Sequence, residues 1–226
     1  MPKISVIVPY SKGMKELSQV LRDFKNQIFK DFELLIIHNG KYTQEFISFT
    51  NSIKCDSNVL FTWVKKDFKN KFSSNHAQLK NYGATIATGD YVVFCDEEDR
   101  HSDTYLETLM QYTFNDTIGI CQASCQETSI DKNGSTDRYK LVPEIGLYDF
   151  PVINHIKASC LLIKKEWALA LPWNDTYNND YFYIKDIYKV FKPQIHLLPG
   201  MKIDTKGLVT KNIRDWVSIP PFYRNY

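Results

Sequence analysis

The stretch Leu79 to Asp99, LKNYGATIATGDYVVFCDEED, decides how this chain of 226 residues is read. A helix is expected from about Asn75 to Ala87, stopped by Gly89. Tyr91 to Cys95 then forms an apolar strand, and the chain leaves that strand on four acids, Asp96, Glu97, Glu98 and Asp99. Four carboxylates at the end of a buried strand repel one another unless something positive offsets them. A hard divalent cation, Mg²⁺ or Mn²⁺, suits that need, because it takes oxygen ligands and shares them with substrate phosphates. An ordinary acidic turn before a helix would also place acids here, since they favour helix N-termini. Taken alone, the run is compatible with both.

The flanks extend the pattern. Ile4 to Val8 is an unbroken β-branched run closed by Pro9, as in a strand buried on both faces. Leu17, Val20, Leu21, Phe24 and Ile28 follow at helical spacing, and Phe32 to Ile37 is a second buried strand ending on His38, Asn39 and Gly40. A strand, a helix and a strand at this spacing make a βαβ unit, so the sheet is expected to be mostly parallel. Val59 to Val64 adds a strand. After the acids, Tyr105, Leu106, Leu109, Met110 and Phe114 mark an amphipathic helix capped by Ser102 or Asp103.

Beyond Ile118 the rhythm changes. Strands are expected over Ile118 to Gln126 and Asp137 to Val142, turning at Asn133 and Gly134. Pro143 to Asn154 reads as loop and Ala158 to Ile163 as strand. Helices are expected over Lys164 to Ala170 and Asn179 to Phe191, with a last strand at Ile195 to Leu198 and an irregular tail from Met201. The whole is a single α/β domain, residues 1–226, with a nucleotide-binding-like front and a mixed rear.

Composition narrows the classes. The 28 basic and 26 acidic residues leave a net charge of +2, without the basic stripe of a nucleic-acid binder. The one local excess, Lys65, Lys66, Lys69 and Lys71, reads as a solvated loop or as one that attracts a diphosphate or an anionic membrane surface. Five scattered cysteines make no disulfide framework or zinc pattern, and a reduced, cytoplasmic setting is expected. No apolar run reaches the roughly 20 residues of a membrane span, and Met1 leads straight into a strand rather than a signal peptide. Membrane contact is therefore expected to be peripheral at most.

In an open parallel sheet, ligands bind beyond the carboxyl ends of the strands. Those ends carry Pro9 and Tyr10, His38 to Gly40, and Asp96 to Asp99. The order Lys80-Asn81-x-Gly83, Gly89-Asp90-Tyr91, an apolar strand and Asp96-x-Glu98-Asp99 closely resembles the core signature of family 2 glycosyltransferases. Ile4 to Pro9 is similar to that family's opening strand. Asn26-Gln27 followed by Phe32 to Ile37 resembles its Asn-Gln and second strand. The match is continuous over about the first half of the chain.

The resemblance implies a GT-A fold, a Rossmann-like central sheet flanked by helices. Residues of about 1–100 would bind a nucleotide-sugar donor and about 101–226 would face a glycan or lipid-linked acceptor. It implies an inverting, Mn²⁺- or Mg²⁺-dependent transfer, and a UDP-linked donor. Carried over, Pro9 and Tyr10 would line the base and ribose pocket, and Lys80 takes an arginine position near the nucleotide. Asp96 and Glu98 take the two ends of the DxD motif, with Glu97 beside them and Asp99 as a further metal ligand. A cation there would stabilise the departing diphosphate as a Lewis acid.

Three departures stand out. His38 and Asn39 replace the family's Asp-Asp after the second strand; Asn39 would meet the base as a neutral donor and acceptor. Glu98 replaces Asp in the metal motif. At the start of the late helix, where inverting members carry an acidic pair, this chain has Asn179 and Asp180. Asp180 is the expected general base, with Asp175 in reserve; without a base, the chain would be a non-catalytic nucleotide-sugar or glycan-binding module. Trp173, Tyr177, Tyr181 and Tyr183 could form an acceptor platform or be buried aromatics. His155 and His196 read as structural before they read as metal ligands. Nucleotidyl transfer is disfavoured, because no glycine-rich phosphate loop lies near the N-terminus.

Overall fold

The computed structural model describes residues 3–11, 14–38, 43–53, 59–63, 76–111, 117–131, 134–142, 157–174 and 179–205. The runs ISVIVPY and FELLIIH form β1 (Ile4–Tyr10) and β2 (Phe32–His38), joined by α1 (Met14–Lys25). They pair in parallel from Ile4 with Phe32 to Tyr10 with His38, as a right-handed βαβ crossover allows. Next come α2 (Gln44–Ile53), β3 (Val59–Trp63), α3 (His76–Ile86) and β4 (Tyr91–Phe94). Both β3 and β4 join in parallel, on β2 and on β1 respectively. The mostly parallel α/β arrangement expected from the sequence is present.

The chain then builds β5 (Asp99–His101), α4 (Tyr105–Gln111) and the hairpin β6 (Thr117–Asp131) and β7 (Gly134–Val142). A 3-10 turn at Ala158–Cys160 precedes β8 (Ile163–Lys164), α5 (Lys165–Ala170), α6 (Asn179–Phe191) and β9 (Gln194–Thr205). The first sheet has the order β3-β2-β1-β4-β8, with β8 antiparallel at its edge. The second has the order β5-β9-β6-β7. Because β5 begins on the last acid of the run, that run forms the corner between the two sheets.

Close approach of α3 to the first sheet explains the glycines in the stretch that decided the fold. A methyl at Gly83 would collide with the Ile7 side chain, so α3 rests directly on β1. A Cβ at Gly89 would lie 2.8 Å from the Ile4 carbonyl carbon, which leaves only glycine at this crossing. Glu33 ties the amino ends of β1 and β2 to this crossing by accepting from Ser5 Oγ at 2.5 Å and from the Thr88 backbone N–H at 2.6 Å.

A second knot holds the chain just after the acidic run. The buried Gln27 amide donates to the Asp23 and Ser102 carbonyls at 3.1 and 2.7 Å and accepts from Leu106 N–H at 3.0 Å. Asp23 accepts from the His101 backbone N–H at 3.1 Å and from Arg100 at 3.2 Å. Together they lock α1 to the segment that leaves the acidic run.

His101 lies in this knot between the rings of Phe24 and Tyr105, at centroid distances of 5.0 and 4.5 Å. Neither ring nitrogen has a hydrogen-bond partner among the described residues. Burial pushes its pKa down to about 4, although Asp23 opposes the shift and Arg100 adds to it. The unfolded chain takes up this proton near 6.5, so acidification between about 6.5 and 4 drains the folded state. Asp99 contributes with the opposite sign, because its raised pKa costs stability as pH rises, so the comparison must be made against a His101 variant. His101→Phe is expected to gain about 2–3 kcal/mol on the wild type between pH 7 and pH 4, in urea unfolding at both pH values.

Several elements differ from the sequence reading. Helix α2 was not expected, because its apolar residues are few and spaced among polar ones. Ile28 lies past the end of α1 and is 56% exposed, outside the helical face assigned to it. Helix α4 starts at Tyr105, and the Thr104 carbonyl accepts from Thr108 N–H at 2.9 Å, so the helix begins later than a Ser102 or Asp103 cap would place it. Residues 158–160 turn instead of extending, since Leu161 N–H bonds back to the Ala158 carbonyl. Strand β9 runs past Met201 to Thr205, held between β6 and β5, with a register shift between Cys121 and Ala123 that absorbs the irregular part. The expected loop from Pro143 to Asn154 lies outside the described residues.

Candidate functional site

The carboxyl ends of β1, β2 and β4 open on one edge, and the four acids of the corner divide their directions there. Asp96 keeps its carboxylate 28% exposed. Glu97 turns back into the fold, accepting from Ser11 N–H at 3.0 Å and Ser11 Oγ at 3.3 Å. Glu98 is half-buried, and Asp99 is buried at the start of β5. Repulsion within the run is thus relieved by alternation and by the chain's own donors. That offset was invisible in the sequence, because Ser11 lies far from the acids along the chain.

The main offset is Lys80. It comes from α3, is 2% exposed, and places Nζ 3.4 Å from Asp96 Oδ1 and 3.7 Å from Asp180 Oδ1. Burial lowers the Lys80 pKa, but Asp96 and Asp180 outweigh it and hold the ammonium above its ordinary value. For Asp96, burial pulls upward, yet Lys80, then Lys157 and His76, hold the carboxyl down at about 2. Burial and the neighbouring Asp96 charge push Asp99 up to about 7. One acid of the run is therefore firmly ionised and another readily protonated, as expected when two carboxyls differ in solvation and partners.

Asp180 reaches this point from the first turn of α6. Its second oxygen accepts from Ala158 N–H at 3.3 Å, so the 3-10 turn positions it. Asp180 and Asp96, far apart in sequence, thus share one buried ammonium. Lys157, just before that turn, was not singled out from the sequence; nothing in its local pattern marks it.

Asn81 is the neighbour of Lys80 on α3, and its side chain pairs twice with the backbone of Trp173. Asn81 Nδ2 donates to the Trp173 carbonyl at 2.9 Å, and Trp173 N–H donates to Asn81 Oδ1 at 2.8 Å. The Trp173 ring then lies 4.3 Å from Lys80 Nζ, within reach of a cation–π contact. Tyr183 stacks on Trp173 at 3.8 Å, and Phe94 meets both rings edge-on. Trp173, Tyr181 and Tyr183 are each at most 6% exposed, so these three are core aromatics and present no open sugar platform.

At the neighbouring strand ends, Tyr10, His38 and Phe46 pack as a group, with His38 and Phe46 centroids 4.2 Å apart. Burial, with Glu97 second, pushes the Tyr10 phenol up to about 12. Pro9 precedes Tyr10 on β1 and is buried with it. Asn39, Asp175, Tyr177, His155 and the lysine-rich segment at 65–71 lie outside the described residues. His196 is described only as a backbone position of β9. Cys95 and Cys160 are buried.

Among the described residues, no three His, Cys, Asp or Glu side chains form a ready-made metal cage. Asp96 and Glu98 are nonetheless the two acids of the run that keep accessible side chains. That donor set fits an ion held by one or two carboxylates, with phosphates and water completing its shell. No helix among the described residues is long and apolar enough to cross a membrane.

A β-1,3-glucosyltransferase of Campylobacter jejuni, named for its acceptor GalNAc(5)-diNAcBac-PP-undecaprenol, is 25% identical over 207 residues, covering 85% of this chain and 65% of the relative. The chain thus spans just under two thirds of that relative's length. Among solved structures, S. aureus TarS 1–349 in complex with UDP-GlcNAc superposes with a TM-score of 0.60 at 14% identity, covering 91% of this chain and 59% of TarS 1–349. The mannosyltransferase PcManGT of Pyrobaculum calidifontis, in complex with GDP-Man and Mn²⁺, also gives 0.60 at 14% identity, covering 90% and 56%. At that identity the likeness is one of fold, and the fold is GT-A. The family described as Glycosyl transferase family 2 matches residues 5–168, from the second residue of β1 through the corner to α5, and the chain belongs to that family of sugar-transferring enzymes.

Proposed function

We propose that this chain transfers a sugar from a nucleotide donor, UDP-linked in our reading, to a hydroxyl of a glycan or lipid-linked acceptor, with inversion at the anomeric carbon. The observation that carries the proposal is the convergence of Asp96, Lys80 and Asp180 at the carboxyl ends of a parallel sheet. Support for the donor class comes from the sugar nucleotides bound by the two structural neighbours, and for the acceptor class from the name of the Campylobacter relative. We place the activity at the cytoplasmic side of a membrane, with peripheral contact.

In this reading Asp96 and Glu98 hold a divalent ion, Mn²⁺ or Mg²⁺, against the donor diphosphate, while Pro9, Tyr10, His38 and Asn39 line the nucleoside end. The ion would neutralise charge on the departing nucleoside diphosphate. Lys80 sets the local charge, and Glu97 and Asp99 act from behind, one bracing Ser11 and the other buried in β5. Asp180 takes the proton of the acceptor hydroxyl while that oxygen bonds the anomeric carbon from the side opposite the leaving diphosphate. The bond to the diphosphate breaks with its electron pair, and the product has the inverted configuration.

The test is a panel of UDP-glucose, UDP-N-acetylglucosamine and GDP-mannose with Mn²⁺, followed by thermal shift and by released nucleoside diphosphate. One donor should stabilise the protein and be consumed when Mn²⁺ is present. Asp96→Ala and Glu98→Ala should each weaken metal-dependent donor binding by about 10-fold or more. Unaltered binding in both variants would remove these residues from the site.

A further inference from the structure

Lys80 has two carboxylate partners, but neither explains why its ammonium stays between them. Asp96 lies just past β4 and Asp180 in the first turn of α6. The contacts to them measure 3.4 and 3.7 Å, one oxygen from each carboxylate. What fixes Lys80 from the third side is the face of Trp173, 4.3 Å from Nζ.

Trp173 is held at both its backbone and its ring. Its N–H and carbonyl are both paired with the Asn81 side chain, one residue along α3 from Lys80 itself. Its ring is stacked on Tyr183 and edged by Phe94. The same helix therefore supplies the cation and the clamp that aims it, and the clamp reaches across to the segment leading into α6. A displacement of the Trp173 ring would free Lys80 to follow either acid and change the separation of Asp96 from Asp180.

We propose that Trp173, anchored by Asn81, is a positioning residue for the transfer reaction: it holds Lys80 between Asp96 and Asp180 and so sets the base against the donor site. The inference rests on the functional reading above. Its effect should fall on turnover, because misplacement of a catalytic group by about 1 Å costs on the order of 100-fold in rate. Affinity for the donor, which depends on the nucleoside and diphosphate contacts, should change far less.

The test compares Trp173→Leu, Trp173→Phe and Asn81→Ala with Trp167→Leu, a matched loss of a buried ring stacked on Phe191 away from the site. Two assays are run: steady-state kinetics, giving kcat and KM for whichever donor of the panel is consumed, and acetylation of Lys80 by N-hydroxysuccinimide acetate, measured by peptide mass spectrometry. In the wild type Lys80 should resist acetylation while the exposed Lys25 reacts. Trp173→Leu should lower kcat by about 10- to 100-fold with donor KM within about threefold, and should open Lys80 to acetylation. Trp173→Phe keeps an aromatic face and should recover most of the loss, and Asn81→Ala should fall between, which covers failure of the leucine variant to fold. Trp167→Leu should leave kcat and Lys80 labelling at wild-type values. Wild-type kcat in folded Trp173→Leu and Asn81→Ala, or a Lys80 that stays unlabelled in both, overturns the inference. Failure of the wild type to consume any donor would count against the functional reading, and the labelling result would still decide the clamp.

Discussion

Asp180→Asn should lower turnover by about 10²- to 10⁴-fold while leaving donor affinity within about threefold of the wild type. The substitution keeps the size of the side chain and an oxygen able to accept from Ala158 N–H, which Asp180 engages at 3.3 Å. The first turn of α6 and the 3-10 turn should therefore keep their places. What disappears is the negative charge facing Lys80 and the lone pair that would accept the acceptor's proton. Since Asp96 still faces Lys80 at 3.4 Å, the donor side keeps its own counter-charge. Nucleoside diphosphate release under saturating donor, with UDP and Mn²⁺ titrated by calorimetry, separates the two effects. A variant that turns over within threefold of the wild type would move the base elsewhere, and Asp175 would be the next residue to replace.

That prediction depends on a juxtaposition the sequence indicated only by analogy. The βαβ opening was legible because strands buried on both faces write themselves as unbroken apolar runs, as in Ile4 to Val8 and Phe32 to Ile37. The hairpin of β6 and β7 was legible through its turn residues, although both strands proved longer than their apolar parts. Helix α2 was not, because only four of the ten residues in QEFISFTNSI are apolar, although Phe46, Phe49 and Ile53 do fall at helical spacing. At the site, the chemical types were legible and their directions were not. Four consecutive acids read as one cluster, but the corner sends Glu97 to Ser11 and buries Asp99, and only the tertiary fold fixes those directions. Asn81 illustrates the same limit: its place in the motif was evident, while its partner is a backbone 92 residues away. Aromatics near Asp180 were ambiguous for a similar reason, since a ring that could bind sugar and a ring that fills a core are the same residue until burial is known.

Lys80→Met should destabilise the protein by about 3–5 kcal/mol at pH 7, the usual cost of removing one partner from a buried ion pair. Methionine fills most of the aliphatic volume of lysine, so packing against Trp173 is largely kept and the loss is electrostatic. With the ammonium gone, Asp96 and Asp180 lose the cation that offsets their desolvation. In the wild type, Lys80 and its neighbours overcome burial and hold Asp96 at about 2, below the 3.8 of a free carboxyl. That difference stabilises the fold above pH 3.8 and is lost as pH falls towards 2. In the variant only Lys157 and His76 oppose burial, so the Asp96 pKa rises from its wild-type value and this stabilisation is reduced or lost. The deficit should therefore be full at neutral pH and shrink as pH falls from about 3.8 towards 2, as urea unfolding at pH 7 and about pH 3 would show. Adding Asp96→Asn to Lys80→Met removes the stranded charge and should recover part of the loss, so the two substitutions are non-additive. Equal stability of Lys80→Met and wild type at pH 7 would mean that the acidic corner is neutralised without Lys80, and the charge balance drawn here would fail at its centre.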